Sequence, residues 1–275
     1  MDLHTVAELR PGRPTDGWRP GDAWLAGGTW LFSEPQTHLR RLFDLTELGW
    51  EPLRTAPDGS LEIAATCTVA ELARHPHPLF LGCCRAFLAS FKVWNVATVG
   101  GNLCAGLPAG PMISLTAGLD GRCLLIAPDG TERTVPVTGF VVGDGRTVLR
   151  AGELLRSVTL PAAALARRAC LRQASLHPLG RSAALVVGTR EQGGELALTV
   201  TAATARPRRL RFAGVPGAGE LAAALDAEIP DGGWFDDVHG DPDWRRHLTH
   251  RLAGEVVREL ADPGPRGAGE PGRGR

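Results

Sequence analysis

The segment Trp94-Asn95-Val96-Ala97-Thr98-Val99-Gly100-Gly101-Asn102-Leu103-Cys104-Ala105 decides how the rest of the chain is read. An apolar run ends in a hydroxyl residue, a Gly-Gly pair and an amide. Glycine accepts positive φ and lets the backbone come close to a ligand. Successive N–H groups in such a turn form a nest that holds an anion, commonly a phosphate. The same grammar occurs upstream, where Trp24-Leu25-Ala26 runs into Gly27-Gly28 and then Thr29. Two such elements suggest one long diphosphate ligand gripped at two places. Taken singly, each Gly-Gly pair also reads as a plain tight turn. Neither is a GxGxxG or Walker sequence, so the common nucleotide fingerprints do not apply.

Composition narrows the class. At 275 residues the chain has enough length for a proper core and two domains. Thirty acidic residues balance thirty basic ones, which argues against nucleic acid or an anionic membrane as partner. Lys92 is the only lysine. No apolar run reaches the roughly 18 residues of a membrane span, and MDLHTVAELRPGRP contains no signal-peptide core. The expectation is a soluble, cytoplasmic protein. The six cysteines, at 67, 83, 84, 104, 123 and 170, form no CxxC pair, so neither zinc nor an iron–sulfur cluster is expected on this chain. Cys83 and Cys84 read as buried thiols rather than a redox pair. His75-Pro76-His77-Pro78 lacks further ligands at usable spacing and reads as a turn.

Taken in order, the pattern predicts a helical patch near 5–9, a strand over 23–26, a loop with a short helix over 31–41, and strands at 42–45 and 61–65. Thr68-Val69-Ala70-Glu71 has capping-box spacing. Leu79, Cys83, Phe87 and Phe91 form an i, i+4 ladder that predicts one helix from 78 to 93. A helix over 112–119, a hairpin turning at Pro128-Asp129-Gly130 and a strand over 157–160 follow. Further on come strands over 182–190, 195–204 and 208–215 and a helix over 219–227. The last helix opens at Asp241-Pro242-Asp243, with Trp244, Leu248, Leu252, Val256 and Leu260 on one face and arginines mostly on the other.

The wording around the glycines is similar to that of the FAD-binding medium subunits of the molybdenum hydroxylases, the flavoprotein parts of xanthine dehydrogenase, carbon monoxide dehydrogenase and aldehyde oxidoreductases. Ala26-Gly27-Gly28-Thr29-Trp30-Leu31 resembles the family's AGGTDL, and Asn95-Val96-Ala97-Thr98-Val99-Gly100-Gly101-Asn102 its second motif. Leu61 to Thr68 resembles the strand between the motifs, and Gly152-Glu153-Leu154-Leu155 up to Leu160-Pro161 the segment that closes the FAD domain. Arg172 to Ser175 and Gly180 to Ala183 resemble the start of the C-terminal domain.

The resemblance implies an α+β fold. Two subdomains, 1–55 and 56–162, would hold FAD between them. A small C-terminal α+β domain with antiparallel strands would occupy 168–262, followed by a disordered tail, 263–275. It implies FAD contacts from Leu25, Ala26, Gly27, Gly28, Thr29, Trp30 and Leu31 and from Thr98, Val99, Gly100, Gly101 and Asn102. Leu155 would lie beside the flavin, and Arg172 would be a cation near the ring. Two departures matter. Trp30 stands where the family has an acid, and Pro111 stands where an Asp accepts hydrogen bonds from a sugar hydroxyl of FAD.

No catalytic residue and no metal ligand is expected, since the redox chemistry belongs to the flavin. The implied role is electron transfer within a heteromer, a dimer of heterotrimers. A small subunit would carry 2Fe–2S clusters, a large subunit would carry the molybdopterin cofactor, and NAD, oxygen or quinone would be the acceptor. The alternatives are a stand-alone flavin oxidoreductase, which would need its own acid or base, and a flavin-free assembly subunit.

Overall fold

The computed structural model describes residues 3–12 and 17–262. Strands β1 (Glu8–Pro11), β2 (Asp22–Leu25) and β3 (Arg41–Asp44) form a parallel sheet in the order β1-β3-β2. The helical patch expected at 5–9 is instead a turn leading into β1, whose backbone pairs along β3. Between β2 and β3 the chain makes only turns, closed by Phe32 N–H on Gly28 O and Ser33 N–H on Trp30 O, so the short helix expected there is absent.

The middle of the chain builds a second sheet and a layer of short helices. In chain order these are β4 (Leu53–Thr55), β5 (Leu61–Ala64), α1 (Val69–Leu72), α2 (Pro78–Ala86), α3 (Phe91–Trp94), α4 (Val99–Ala105) and α5 (Pro111–Gly118). There follow β6 (Arg122–Ile126), β7 (Glu132–Pro136), α6 (Val137–Phe140), β8 (Val141–Gly143), β9 (Arg146–Thr147) and β10 (Leu154–Leu160). The antiparallel sheet has the order β4-β5-β10-β6-β7, with β8 and β9 pairing apart from it. The helix expected to run unbroken from 78 to 93 is two helices. Leu88 adopts left-handed φ of 52°, which stops α2, and Ser90 caps α3. The ladder fails there, leaving Phe91 73% exposed.

After α7 (Ala162–Leu165) comes the antiparallel sheet β11 (Arg168–Ser175), β12 (Ser182–Arg190), β13 (Leu196–Thr201) and β14 (Arg208–Phe212), followed by α8 (Ala218–Glu228) and α9 (Pro242–Ala261). Leu248, Leu252, Val256 and Leu260 of α9 cover one face of that sheet. Arg245 departs from the expected outward arginines. It is buried and donates to the carbonyls of Gly240, Ala183 and Ala202 at 2.7–2.8 Å.

The other face of the sheet lies on α2 and α5. Leu185, Val187 and Ala202 belong to the same apolar core as Ile63, Phe80, Met112 and Leu125. The expected boundary between 56–162 and 168–262 therefore crosses a continuous core. A clamp at Asp120 reinforces the joint: its carboxylate takes Arg167, Arg209 at 2.8 Å and Arg211 at 3.0 Å. The tail at 263–275 lies outside the described residues. No helix among the described residues is long and apolar enough to cross a membrane.

Candidate functional site: a cleft walled by two glycine pairs

A cleft of about 820 Å³ opens where the β2–β3 connection meets α4, α5 and the β11–β12 turn. Leu25, Ala26, Gly27, Gly28, Thr29, Trp30 and Leu31 all line it, as do Thr98, Gly100, Gly101, Asn102 and Leu155. The first glycine pair is where the backbone needs glycine. A Cβ on Gly27 would sit inside the Val96 carbonyl, so the two motif segments touch backbone to backbone. Gly28 has φ of +67°, which side-chain-bearing residues avoid, and the Phe32 ring occupies its side-chain space. From Ala26 to Leu31, six consecutive backbone N–H groups have no hydrogen-bond partner among the described residues. Ala26, Gly27, Gly28 and Leu31 are half-buried, and donors kept partly from water call for an acceptor, while Thr29 and Trp30 are exposed.

The second glycine pair is built differently. Residues 98–102 were expected to form a nest loop with positive φ, but neither Gly100 nor Gly101 has it. They lie in the first turn of α4, which Thr98 caps by accepting the Gly101 N–H at 3.0 Å. Val99 N–H donates to Cys67 O, Gly100 N–H to Ala65 O and Asn102 N–H to Thr98 O. The donors expected to face a phosphate are thus used inside the protein. Gly100 is required by packing, since its Cβ would stand 2.5 Å from that of Ala65. Gly101 would meet only Thr98 Oγ1, at 3.0 Å, and so keeps the cleft wall open. Asn102 Oδ1 accepts the Met112 N–H at 3.1 Å and ties α4 to α5. Pro111 opens α5 at its first position, where a missing N–H costs nothing, and it lines the cleft where the family resemblance implies a hydrogen-bond acceptor.

Two expected contacts lie elsewhere. Val99 is fully buried in the core. Arg172 pairs with Glu259 and Glu255 of α9, because its side chain falls on the face of β11 that carries that helix. The cation that does line the cleft is Arg181, in the turn after β11, together with Leu179, which is 87% exposed. No periodic pattern announces that turn as part of the site; only the folding back of the C-terminal sheet brings it there.

Glu153 also lines the cleft. It is buried, holds Arg133 by two bonds of 2.7 and 2.6 Å and accepts the Arg150 N–H at 2.8 Å. The Arg133 guanidinium holds its carboxyl down at about 2. Trp24 Nε1 donates to Glu153 O at 3.1 Å, joining the first sheet to the second. With its charge matched, Glu153 is a structural anion rather than a proton carrier. Among the described residues no group of three or more His, Cys, Asp and Glu could hold a metal. Burial pushes the Cys84 thiol up to about 12 and that of Cys83 higher still, which makes both inert. His77 caps α2 through Nδ1, and His75 stacks on Phe80 at 4.2 Å.

The cleft offers a row of backbone donors to an anionic ligand, and comparison fixes the family. Residues 16–163 match the FAD binding domain in molybdopterin dehydrogenase, and the chain belongs to that family. It is 30% identical over 128 residues to the xanthine dehydrogenase FAD-binding subunit of Escherichia coli O157:H7, covering 45% of this chain and 43% of that relative. It is 29% identical over 181 residues to the carbon monoxide dehydrogenase medium chain of Hydrogenophaga pseudoflava, covering 62% and 61%. The matched region thus spans less than two thirds of these relatives. Among solved structures, a chain of carbon monoxide dehydrogenase from Hydrogenophaga pseudoflava superimposes with a TM-score of 0.80. That match covers 94% of this chain and 98% of the other at 20% identity, a likeness of fold.

Proposed function

We propose that this chain is the FAD-carrying electron-transfer subunit of a heteromeric molybdenum hydroxylase. The observation that carries the reading is the row of unpartnered N–H groups from Ala26 to Leu31 along a cleft of about 820 Å³. These residues fit FAD. Ala26–Leu31 would hold the diphosphate, Gly101 leaves open the space a side chain would fill, and Leu155 supplies an apolar wall. Bound there, the flavin supplies a centre that accepts electrons and passes them on. The protein's own part is to bind, orient and shield, and no acid, base or nucleophile of this chain is needed.

In this reading electrons arrive from 2Fe–2S clusters on a small partner subunit, fed by a large subunit with the molybdopterin cofactor. They leave to NAD, oxygen or quinone. The complex would be a cytoplasmic dimer of heterotrimers. The test is to isolate the complex with its iron–sulfur and molybdenum polypeptides and release its flavin by denaturation. Stoichiometric FAD on this chain supports the reading, and an intact complex without flavin absorbance overturns it. The isolated chain should turn over neither an aldehyde nor a purine.

A further inference from the structure

The cleft offers a dianionic ligand little positive charge. Among the described residues Arg181 is the only cationic side chain lining it, and the Glu153 carboxylate is already matched by Arg133. The N–H groups of Val99, Gly100, Gly101 and Asn102 are consumed within the protein. A second, shallower recess of about 400 Å³ lies against the same glycine loop, with Phe32, Lys92 and Val96 in its wall. Gly27, Gly28, Thr29 and Val93, the neighbour of Lys92 on α3, line both spaces, so the recess adjoins the cleft at the glycine loop, while Arg181 lines the cleft alone.

Lys92 is exposed on α3 and has neither an ion pair nor a hydrogen bond among the described residues. It is also the only lysine in a chain whose other basic residues are all arginine. A structural cation would be held by an acid, as Arg133, Arg167 and Arg245 are. Lys92 instead stands beside a row of donors that also lack acceptors. We propose that Lys92 and the N–H groups of the Gly27–Thr29 loop form one anion site that takes the diphosphate of the bound dinucleotide, an inference that rests on the FAD assignment above. An ammonium on a flexible four-carbon stem is a point charge that can reach a phosphate without the fixed fork geometry an arginine imposes. Backbone donors fix the position of the phosphates, and the lysine supplies the charge they lack.

The test titrates the flavin-free full chain with FAD and with riboflavin, which has no phosphate, following the quenching of flavin fluorescence. Lys92→Gln should weaken FAD about tenfold at low salt. The loss should shrink toward physiological salt, where the screening length falls from about 30 Å at 0.01 M to about 8 Å. Riboflavin affinity should not change, and Lys92→Arg should stay within about threefold of the parent for FAD. The thermal midpoint of the flavin-free variant should match the parent, since Lys92 touches no structural partner. FAD affinity within twofold of the parent at low salt overturns the Lys92 assignment, as does an equal loss for riboflavin. A parent chain that takes up no FAD overturns the flavin assignment itself, and Lys92's role with it.

Discussion

Thr68 and Thr98 face each other in an isolated antiparallel bridge, and each caps the helix that follows it. Thr68 Oγ1 accepts the Glu71 N–H at 3.2 Å, and Glu71 returns the bond by accepting the Thr68 N–H at 2.8 Å. Thr98 accepts the Gly101 N–H in the same way, but the position of Glu71 is there a glycine. One helix start is closed by a carboxylate, and its neighbour is left bare on the cleft.

That contrast predicts opposite effects from one substitution. Gly101→Glu recreates Thr-x-x-Glu in a backbone that is already helical, so no left-handed strain arises. Better helix propensity and a completed capping box should raise the stability of the flavin-free protein by up to about 1 kcal/mol. A carboxylate facing a diphosphate should meanwhile weaken FAD by roughly a hundredfold or more, since contact repulsion is on the order of 4 kcal/mol at an effective dielectric near 20. Denaturant melts and flavin content read the two effects separately. Full flavin content in the variant would remove Gly101 from the cofactor site.

The adjacent glycine should behave in the reverse way. A methyl at Gly100 would press on Ala65 Cβ at 2.5 Å and on Ala65 O at 2.7 Å, both in the core. Gly100→Ala should therefore cost about 1–3 kcal/mol of stability, as overpacking does. A variant as stable as the parent in urea would show that α4 can shift away from β5 freely.

Stability should fall in mild acid. His77 Nδ1 accepts the Leu79 N–H and His75 Nδ1 accepts the His77 N–H, so both rings act as neutral acceptors. Burial holds both below the ordinary value of 6.5. Below that pH the unfolded chain binds more protons than the folded one, so stability drops as pH falls from 6.5 through the folded values. His77→Asn keeps a capping acceptor without a proton to gain and should lessen the drop. An identical slope in the variant would clear His77. A second loss should follow between 4.5 and about 2 as Glu153 is protonated and releases Arg133.

Removing the clamp should loosen the C-terminal sheet from the helices beneath it. Burial pulls Arg209 below its ordinary range, and Asp120 is the acid that most offsets this. Asp120→Ala would leave Arg209 and Arg167, each with a side chain only 11% exposed, without that partner. The expected loss is about 3 kcal/mol. Unfolding measured by denaturant should show it, and a change under 1 kcal/mol would mean that the arginines find solvent.

Where the deciding forces act over a few residues, the sequence alone determined the outcome. The capping box at Thr68–Glu71, the hairpin at Pro128-Asp129-Gly130 and the apolar stripe of α9 are local matters of turn chemistry and period. So is the need for glycine at residue 28, where a positive φ and the nearby Phe32 ring leave no room for a side chain. Tertiary structure decided the rest. Thr98-Val99-Gly100-Gly101-Asn102 reads equally as a nest or as a capped helix, because glycine permits both. It becomes a helix because Ala65 and Cys67, some thirty residues away, accept its N–H groups and leave none for a phosphate. Arg172 turns from the flavin to Glu259 because α9 packs on its face of β11, and Lys92 lines one recess with the Gly27–Thr29 loop because the Val96 carbonyl lies against Gly27. These are contacts between residues far apart in the chain, and no local pattern encodes which of them meet.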